Sequence, residues 1–553
     1  MGLASRPPPP EYEGGFTLYL AFTSFIAAVA GLLFGYDMGI SGGLSTMRSF
    51  LQEFFPNIYE KTKHRPLFRA DAYCQYNNHM LTLFTSSLYL AALVSSFFAS
   101  TISRKHGRRV SIFLSGLFFL FGAALGGYAT NVTMLIFGRL SLGFGVGFGN
   151  QAVPVYLSEM APAKLRGSLN LSFHVATAIG IFIANIVNFI APFVDKTEGW
   201  RFSIGLVAVP AVFLTLGALI LPDTPSSLIE RGHPDAAKKV LQRIRGMVNV
   251  EREYNDLINA CYFSNKIEYP WKHMFTRRYR PQLIMCTLIP LFSQFTGIIV
   301  VLFYLPILFK TLGFGDQAAI VSASLIAIVL LLTTFVSVAL VDKCGRKALF
   351  IEGGIQMLIC QLAAQIGVGF IIAKKFGVKG EGFLTRDDAS MLLLLISLYF
   401  AAFSWSWGPL GFLVPTEICP LELRSAGQAI SVSIGMLFTF ILAQVFVSML
   451  CYMKFGLFFF FATFLVAMTL FIYLFVPETK NVPLEEMSWV LKVHWFWGDY
   501  IPDEVIFEDP EGFSKESPHV GIQEFFMRNL EMRFNLDKEA NRACQGPFFC
   551  CGA

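Results

Sequence analysis

Twelve long apolar segments divide this chain of 553 residues, and they constrain its fold more than any other feature. Each approaches the ~20 apolar residues that an α-helix needs to cross the hydrocarbon core of a bilayer. The sequence therefore predicts an all-α membrane protein of twelve transmembrane helices. The segments lie at roughly 16–40, 80–102, 110–129, 132–157, 169–193, 202–221, 281–309, 318–341, 348–373, 389–414, 427–451 and 455–476.

The composition excludes other common classes of protein. Apolar residues make up 54% of the chain and charged residues only 15%, whereas soluble proteins carry about 45–50% and about 25%. The net charge of +5 is spread in small groups, which gives no sign of a nucleic-acid partner. The sequence shows no nucleophile–base set, metal-ligand cluster or phosphate-binding loop, so we expect neither an enzyme nor a cofactor.

Basic residues collect at alternate ends of the segments. They follow the second, fourth, eighth and tenth segments, for example at Arg104, Arg166, Arg346 and Arg424. The positive-inside rule assigns these ends to the cytoplasm, and both chain termini then lie on the same side. The loop 41–79 is consequently predicted to be extracellular.

The longest internal polar stretch divides the segments into two sets of six. We predict a cytoplasmic N-terminus (1–15), a first six-helix half (16–221, including a lid loop at 41–79), cytoplasmic linker helices (222–280), a second half (281–476) and a cytoplasmic tail (477–553). Motifs repeat between the halves: Arg104-Lys-His-Gly-Arg-Arg returns as Asp342-Lys-Cys-Gly-Arg-Lys. Such duplicated halves are typical of transporters that rock about a site at mid-membrane.

A second repeated motif pairs an acid with a base seven residues later, in Glu159–Arg166 and again in Glu417–Arg424. Across a turn, this spacing favours an ion pair between neighbouring helix ends. We expect these charges to latch the cytoplasmic side closed, while the alternative for any single base is a topogenic charge at the membrane surface. The predicted latch residues are Arg104, Arg108, Glu159, Arg166, Asp342, Arg346, Glu417 and Arg424.

Two charges inside apolar segments stand out as a pair. Asp37 closes the first segment, and Arg139 lies about nine residues into the fourth, which places both at a similar depth in the outer part of the membrane. A carboxylate that pairs with Arg when ionised and leaves it when protonated couples proton entry to helix movement. A static structural pair is the alternative.

Two cysteines, Cys74 and Cys451, fall on the extracellular side and belong to different halves. That compartment permits disulfides, and a bridge would hold the outer loop over the second half as a lid. Two unpaired thiols are the alternative.

Five stretches together resemble one known family: Phe34-Gly-Tyr-Asp-Met-Gly-Ile-Ser-Gly-Gly, Leu221-Pro-Asp-Thr-Pro-Ser-Ser-Leu-Ile-Glu-Arg-Gly, Gln294-Phe-Thr-Gly, Trp405-Ser-Trp-Gly-Pro-Leu-Gly and Pro477-Glu-Thr-Lys. They are similar to motifs of the sugar porters of the major facilitator superfamily, above all the plant proton/monosaccharide symporters. The resemblance extends to about residue 497. It implies proton coupling through Asp37 and Arg139, a lid disulfide between Cys74 and Cys451, and a location in the plasma membrane.

The resemblance also points to the cargo site, where this chain departs from the family pattern. Four positions agree with it: Phe34, Ile181, Gln294 and Gly408. Six positions, most of them amides in the family, differ: His174, Ser293, Ile299, Leu330, Phe412 and Gly435. A buried hydroxyl without a partner costs roughly 1–3 kcal/mol, so the site is predicted to bind glucose poorly.

Three interpretations of the function therefore stay open. The first is proton-driven import of a monosaccharide, and the second is the same mechanism with a less hydroxylated or carboxylate-bearing cargo that faces His174. The third is a sensor that binds without net transport. In each case we expect the partners to be a small molecule, protons and the lipid bilayer, with the monomer as the working unit.

Overall fold

The structure is a computed structural model that describes residues 15–63, 74, 77–195, 197–265, 270–311, 316–363, 386–453, 456–480, 482 and 487–501. The predicted N-terminal stretch up to residue 14, part of the lid loop, the second part of the ninth segment and the tail after 501 lie outside the described residues. Within the described ranges every regular element is helical.

The first half contains six membrane-spanning units, and polar caps set their starts. Thr17 accepts from the Leu20 N–H at 3.1 Å at the start of the first helix, and the Asn78 and Asn131 side chains cap the second and fourth. The helices are α1 (Leu18–Leu44), α2 (His79–His106), α3 (Arg108–Gly127), α4 (Val132–Met160), α5 (Ser172–Val194), and α6 in two parts, α6a (Gly199–Gly205) and α6b (Ala208–Ile220).

Short helices cover the two polar stretches. The outer loop contains Arg48–Phe54 and Pro56–Lys63, and the linker contains Pro225–Glu230, Pro234–Arg245, Glu251–Asn265 and Pro270–Met274. The described part of the stretch 222–280 thus contains four short α-helices. Arg245 holds the second of them under α4, because its guanidinium donates to the Met160 carbonyl at 3.0 Å.

The second half repeats this arrangement with two interrupted helices. Its helices are α7a (Arg280–Phe295), α7b (Ile298–Thr311), α8 (Asp316–Cys344), α9 (Arg346–Ala363), α10a (Arg386–Trp405), α10b (Trp407–Ile418), α11 (Arg424–Met453) and α12 (Gly456–Phe475), followed by Met487–Val493. Gly297 separates α7a from α7b with a φ of +77°, a conformation that glycine adopts without steric cost.

Eleven membrane spans among the described residues are long and apolar enough to cross a bilayer. The ninth predicted segment begins as α9, and the part of it after residue 363 lies outside the described residues. Large apolar side chains such as Phe98, Phe121 and Leu216 face outward, as expected for surfaces in contact with lipid. The prediction of an all-α membrane protein is confirmed.

Small residues allow α1 and α5 to touch along their backbones. A Cβ at Gly35 would lie 1.9 Å from the Thr177 carbonyl oxygen, and one at Gly31 would lie 2.4 Å from that of Phe173. Such close approach is typical of membrane helices that pack through glycine. This backbone contact fixes the position of α5 along α1, and α5 carries His174 and Ile181.

The two halves meet at both ends of the membrane. On the predicted extracellular side, Thr85 and Tyr304 are joined at 2.8 Å, and Ser86 donates to Gln444 at 2.8 Å. On the predicted cytoplasmic side, Ser100 donates to the Ser425 carbonyl at 2.9 Å. The helices α2 and α11 are therefore in contact near both of their ends, and the two halves are closed along this seam.

Candidate functional site

Asp37 and Arg139 form a buried ion pair between α1 and α4. The Arg139 Nη1 atom lies 2.5 Å from the Asp37 Oδ1 atom, and the two residues are 1% and 3% exposed. The guanidinium also lies 4.4 Å from the centre of the Phe84 ring, while its Nη2 atom has no hydrogen-bond partner. The structure therefore brings together the two intramembrane charges that the sequence singles out. The Nη2 atom of Arg139 remains a donor without a partner.

Aromatic residues connect this pair to the outer loop. Phe84 packs on Phe50 of the helix Arg48–Phe54 at 5.3 Å between ring centres. Phe50 also contacts Trp200 at 5.9 Å, and the Trp200 indole donates to the Glu53 carboxylate at 3.0 Å. The loop thus covers the ion pair from the outside.

A disulfide joins Cys74 of this loop to Cys451 of α11, with the Cα atoms 4.8 Å apart. It links residues 377 positions apart in the chain and ties the outer loop of the first half to the second half. The predicted pairing is confirmed.

The second half supplies a polar group at the break in α7. Ser293 donates to the Trp407 carbonyl at 3.4 Å, and the Gln294 side-chain oxygen accepts from Thr439 at 2.8 Å. Gly435 lies beside them, because a Cβ there would be 3.7 Å from the Gln294 Nε2 atom. Three of the proposed cargo positions are therefore neighbours.

His174 and Phe412 meet across the two halves. Their ring centres are 5.1 Å apart, and Phe173 approaches the same imidazole edge-on at 5.6 Å. Both His174 and Phe412 are half-buried. Gly408, one turn before Phe412, packs under the Phe403 ring, which a Cβ would approach to 2.8 Å.

The remaining cargo positions are apolar surfaces. Phe34 on α1 and Leu330 on α8 are each 8% exposed, and Ile181 on α5 is 2% exposed. Ile299, at the start of α7b, is half-buried. These four apolar side chains therefore supply no hydrogen-bonding group of their own.

Glu159 is the centre of the charge cluster that the sequence predicts as the cytoplasmic latch of the first half. Arg108 contacts its Oε1 atom at 2.9 Å, and Thr224 donates to its Oε2 atom at 2.6 Å. Arg424 of the other half lies 3.6 Å from Oε1. Arg108 also binds Glu230 of the linker at 3.0 Å. The latch therefore joins three parts of the chain.

The second half repeats this arrangement around Glu417. Arg346 binds the Glu417 carboxylate at 2.7 Å, and Thr479 donates to it at 2.8 Å. Arg346 also lies 3.2 Å from Asp342, and Asp342 accepts from Ser168 of the first half at 2.6 Å. Asp342, like Arg424, is thus a contact between the halves.

The expected pairing within the second Glu–Arg motif is wrong. Arg424 lies against Glu159 of the other half rather than against Glu417 of its own motif, because the turn between α10b and α11 aims its side chain across the interface. Of the other predicted latch residues, Arg104 lies in the last turn of α2 and Arg166 opens the short helix Arg166–Asn170, both half-buried.

Two acidic latch residues were missed by the sequence analysis. The Asp223 carboxylate accepts from the Arg108 N–H at 3.1 Å, and the Glu478 carboxylate accepts from the Arg346 N–H at 2.9 Å. They cap the starts of α3 and α9, where a negative charge stabilises the helix. The available signal was a repeat, Pro222-Asp-Thr and Pro477-Glu-Thr, which directly follows the last helix of each half.

The linker thiol Cys261 is structural. It is 1% exposed and donates to the Ser226 carbonyl at 3.7 Å. Burial, together with the nearby carboxylates of Glu230 and Glu159, raises its pKa to about 12. A thiol that stays protonated at neutral pH is not a nucleophile.

Comparison with known proteins places this chain in one family. Residues 23–491 match the family described as "Sugar (and other) transporter". The chain is 56% identical over 499 residues to sugar transport protein 10 of Arabidopsis thaliana, covering 90% of this chain and 95% of that protein. It is 54% identical over 494 residues to sugar transport protein MST6 of Oryza sativa subsp. japonica, covering 89% and 92%.

Solved structures show the same fold. The proton:xylose symporter XylE bound to 6-bromo-6-deoxy-D-glucose superposes with a TM-score of 0.71 at 24% identity, covering 85% of this chain and 99% of that one. The inward-open XylE from E. coli has a TM-score of 0.63 at 24% identity, covering 85% and 99%. The fold is therefore that of a transporter of the major facilitator superfamily. The chain belongs to the sugar transporter family and is similar over most of its length to the plant sugar transport proteins.

Proposed function

We propose that this protein is a proton-coupled symporter that imports a monosaccharide, such as a hexose, by alternating access. The observation that carries the proposal is the buried pair of Asp37 and Arg139, which lies between the outer loop and the closed interface of the two halves. An ion pair in the membrane is costly and usually functional. Membership in the sugar transporter family supports a sugar as the cargo.

The proton step follows from the chemistry of this pair. When a proton binds to Asp37, the carboxylate loses its charge and the attraction to Arg139 weakens. The Arg139 guanidinium then retains its contact with Phe84 and its spare donor, so α1 and α4 are freed to move relative to each other. Since α1 also packs on α7b of the second half, movement of α1 reaches the interface between the halves.

The cargo step uses the groups that converge near the break in α7. Ser293 and Gln294 supply a hydroxyl and an amide for the sugar hydroxyls, and His174 supplies a donor and an acceptor from the first half. Ile299, Leu330 and Phe412 add apolar surface. We therefore propose a hexose affinity that is weaker, on the order of a hundredfold, than an all-amide site would give.

The proposed setting is the plasma membrane, with both termini in the cytoplasm and the monomer as the working unit. Basic residues at the ends of α2 and α8 support this orientation, because cytoplasmic ends of helices are rich in Lys and Arg. The relatives that match this chain are sugar transporters, and they give no support to a sensor or to a non-sugar cargo.

Uptake in cells that lack hexose carriers tests the proposal. We expect labelled glucose to accumulate above its external concentration at acidic external pH, and an uncoupler to abolish the accumulation. A panel of other hexoses, pentoses and small organic acids is measured in parallel, with empty-vector cells as the control. Accumulation of organic acids without any sugar, or sugar uptake that ignores the proton gradient, would contradict the proposal.

A further inference from the structure

One intramembrane carboxylate belongs to neither the proton pair nor the latch. Glu352 lies on α9, six residues, or about 9 Å of helix, beyond Arg346 at the cytoplasmic end. Its side chain is exposed on the outside of the helix bundle. Ionisable groups inside spanning helices are rare, and those that face lipid need a specific reason.

The contact of Glu352 supplies that reason. Its carboxylate accepts a hydrogen bond from the Trp405 indole N–H at 2.9 Å. Trp405 is the last residue of α10a, and it is followed by the break that separates α10a from α10b. Ser406, at the break, has φ −125° and ψ −97°, which is outside the helical region.

Helix α9 holds all three residues of this break. The Ser406 hydroxyl packs directly against Gly353. Its oxygen lies 2.0 Å from the point that a Cβ at position 353 would occupy. The Trp407 indole donates to the Phe350 carbonyl at 3.1 Å, and the rings of these two residues meet edge-on at 4.6 Å. The bond from Glu352 is thus the outermost of three consecutive contacts.

The break is also one wall of the cargo site. The Trp407 carbonyl accepts from Ser293 of α7a at 3.4 Å. Gly408 and Phe412 lie on α10b directly after the break, and Phe412 contacts His174 of the first half at 5.1 Å. A shift at Trp405–Trp407 therefore moves the groups that line the cargo site in the second half.

We propose that Glu352 is a positioning residue that fixes the α10 break through Trp405 and thereby holds α10b in its cargo-binding position. The carboxylate supplies an oxygen acceptor for the Trp405 indole N–H at an exposed position of α9, which gives this intramembrane acid a structural role. The effect on cargo binding rests on the proposed sugar transport, whereas the effect on the break itself does not.

Hydrogen exchange of the purified full-length protein tests the effect on the break. In Glu352→Leu and in Trp405→Phe, backbone amides around residues 404–411 are expected to exchange about fivefold faster, the loss of one ordinary hydrogen bond. Glu352→Gln retains an oxygen acceptor and is expected to stay within about twofold of the unaltered protein. Trp495→Phe is the matched control, because it removes an indole bond to the Leu474 carbonyl on another part of the same half.

Glucose uptake by the same four variants tests the effect on the cargo site. We expect Glu352→Leu and Trp405→Phe to raise the KM about fivefold with little change in maximal rate, and Glu352→Gln and Trp495→Phe to leave it unchanged. Unchanged exchange in Glu352→Leu, or equal effects of Gln and Leu at this position, would overturn the proposal. If the unaltered protein takes up no hexose, the proposed function fails while the exchange measurement still decides the role of Glu352 at the break.

Discussion

Arg139 has two partners of different kinds, a carboxylate on one side and the face of the Phe84 ring on the other. Protonation of Asp37 removes only the first of them, since a ring attracts a cation without being titrated. Arg139 thus stays buried while its ion pair opens. This arrangement suits a pair that must separate and re-form in every transport cycle.

Replacing Asp37 by Asn is expected to abolish accumulation of sugar against a gradient. The amide has nearly the shape of the carboxylate but carries no charge and binds no proton at neutral pH. Exchange of labelled for unlabelled sugar at equal concentrations, which needs no net proton movement, should persist. The measurement is proton-driven uptake compared with this exchange in the same vesicles.

The exposed carboxylate of Asp195 supplies the control for that substitution. It lies in the loop after α5, where hydrogen bonds from Thr197 lower its pKa. Asp195→Asn therefore removes a charge on the same side of the membrane without touching the ion pair, and it should accumulate sugar normally. Accumulation by Asp37→Asn at the level of Asp195→Asn would contradict proton coupling through Asp37.

Gly435 offers space to restore one amide of the cargo site. A Cβ there meets Gln294 at 3.7 Å and Pro290 at 3.9 Å, which are ordinary van der Waals contacts. Gly435→Asn is therefore expected to lower the KM for glucose about fivefold, the value of one additional hydrogen bond.

Gly435→Ala separates the amide from the added bulk at that position. It adds the Cβ alone, so its KM for glucose should match that of the unaltered protein. Equal KM values for the Asn and Ala variants would mean that position 435 does not face the sugar.

At the scale of helices, the sequence predicts the spans well and their interruptions poorly. Predicted segments match α1 to α5, although α2 continues through Arg104 to His106, because helical hydrogen bonds persist after the apolar run ends. Gly408-Pro409 directly follows the break at Ser406, but these residues alone do not place it in an otherwise apolar stretch, because it also depends on contacts with α9. At the other break in the second half, Gly297 itself occupies the interruption.

The ion pairs of the latch show the same limit of prediction from the sequence. The repeated motifs contain charged residues that the structure pairs, yet spacing along the chain cannot show that Arg424 crosses to Glu159 while Glu417 binds Arg346 and Thr479. Partner choice depends on how the halves dock. Likewise, the proposed cargo positions came from the family resemblance, because no spacing in this chain brings His174 to Phe412.

Removing the charge of Arg424 is expected to weaken cytoplasmic closure. Arg424→Gln takes away a cation that reaches Glu159 across the halves, so the population shifts towards an inward-open state. A cysteine introduced at Asn150 reports the shift, because this residue is 1% exposed and its carbonyl accepts from Gln428 of the other half. Labelling of Asn150→Cys from the cytoplasmic side should become about fivefold faster.

A cytoplasmic ion pair that does not join the halves supplies the control for this prediction. Lys238 and Glu251 pair on the linker surface, so Lys238→Gln should leave labelling at the rate of Asn150→Cys alone. Arg424→Gln without the introduced cysteine measures the background from buried native thiols. An unchanged labelling rate in Arg424→Gln would show that the contact with Glu159 does not hold the cytoplasmic side closed.

At the scale of the whole molecule, closure at both ends follows from one long seam. Along α2 and α11, Ser86 contacts Gln444 at 2.8 Å, Ser96 contacts Ser433 at 2.6 Å, and Ser100 contacts Ser425 at 2.9 Å. Each of these bonds involves a serine hydroxyl of α2, and each contributes only about 1 kcal/mol. A seam of weak, similar bonds is suited to opening from one end at a time.

Cross-linking of cysteine pairs at the two ends of this seam tests alternating access directly. The outer pair is Ser86→Cys with Gln444→Cys, and the inner pair is Ser100→Cys with Ser425→Cys. Because both ends are closed here, a short bifunctional thiol reagent should join either pair, and either cross-link should stop net sugar uptake. The outer cross-link should still allow the cytoplasmic side to open, so labelling at Asn150→Cys continues, whereas the inner one should prevent it.

Each single-cysteine variant, treated with the same reagent, should keep its uptake. Transport that continues through a completed cross-link at either end would mean that the halves do not have to separate there.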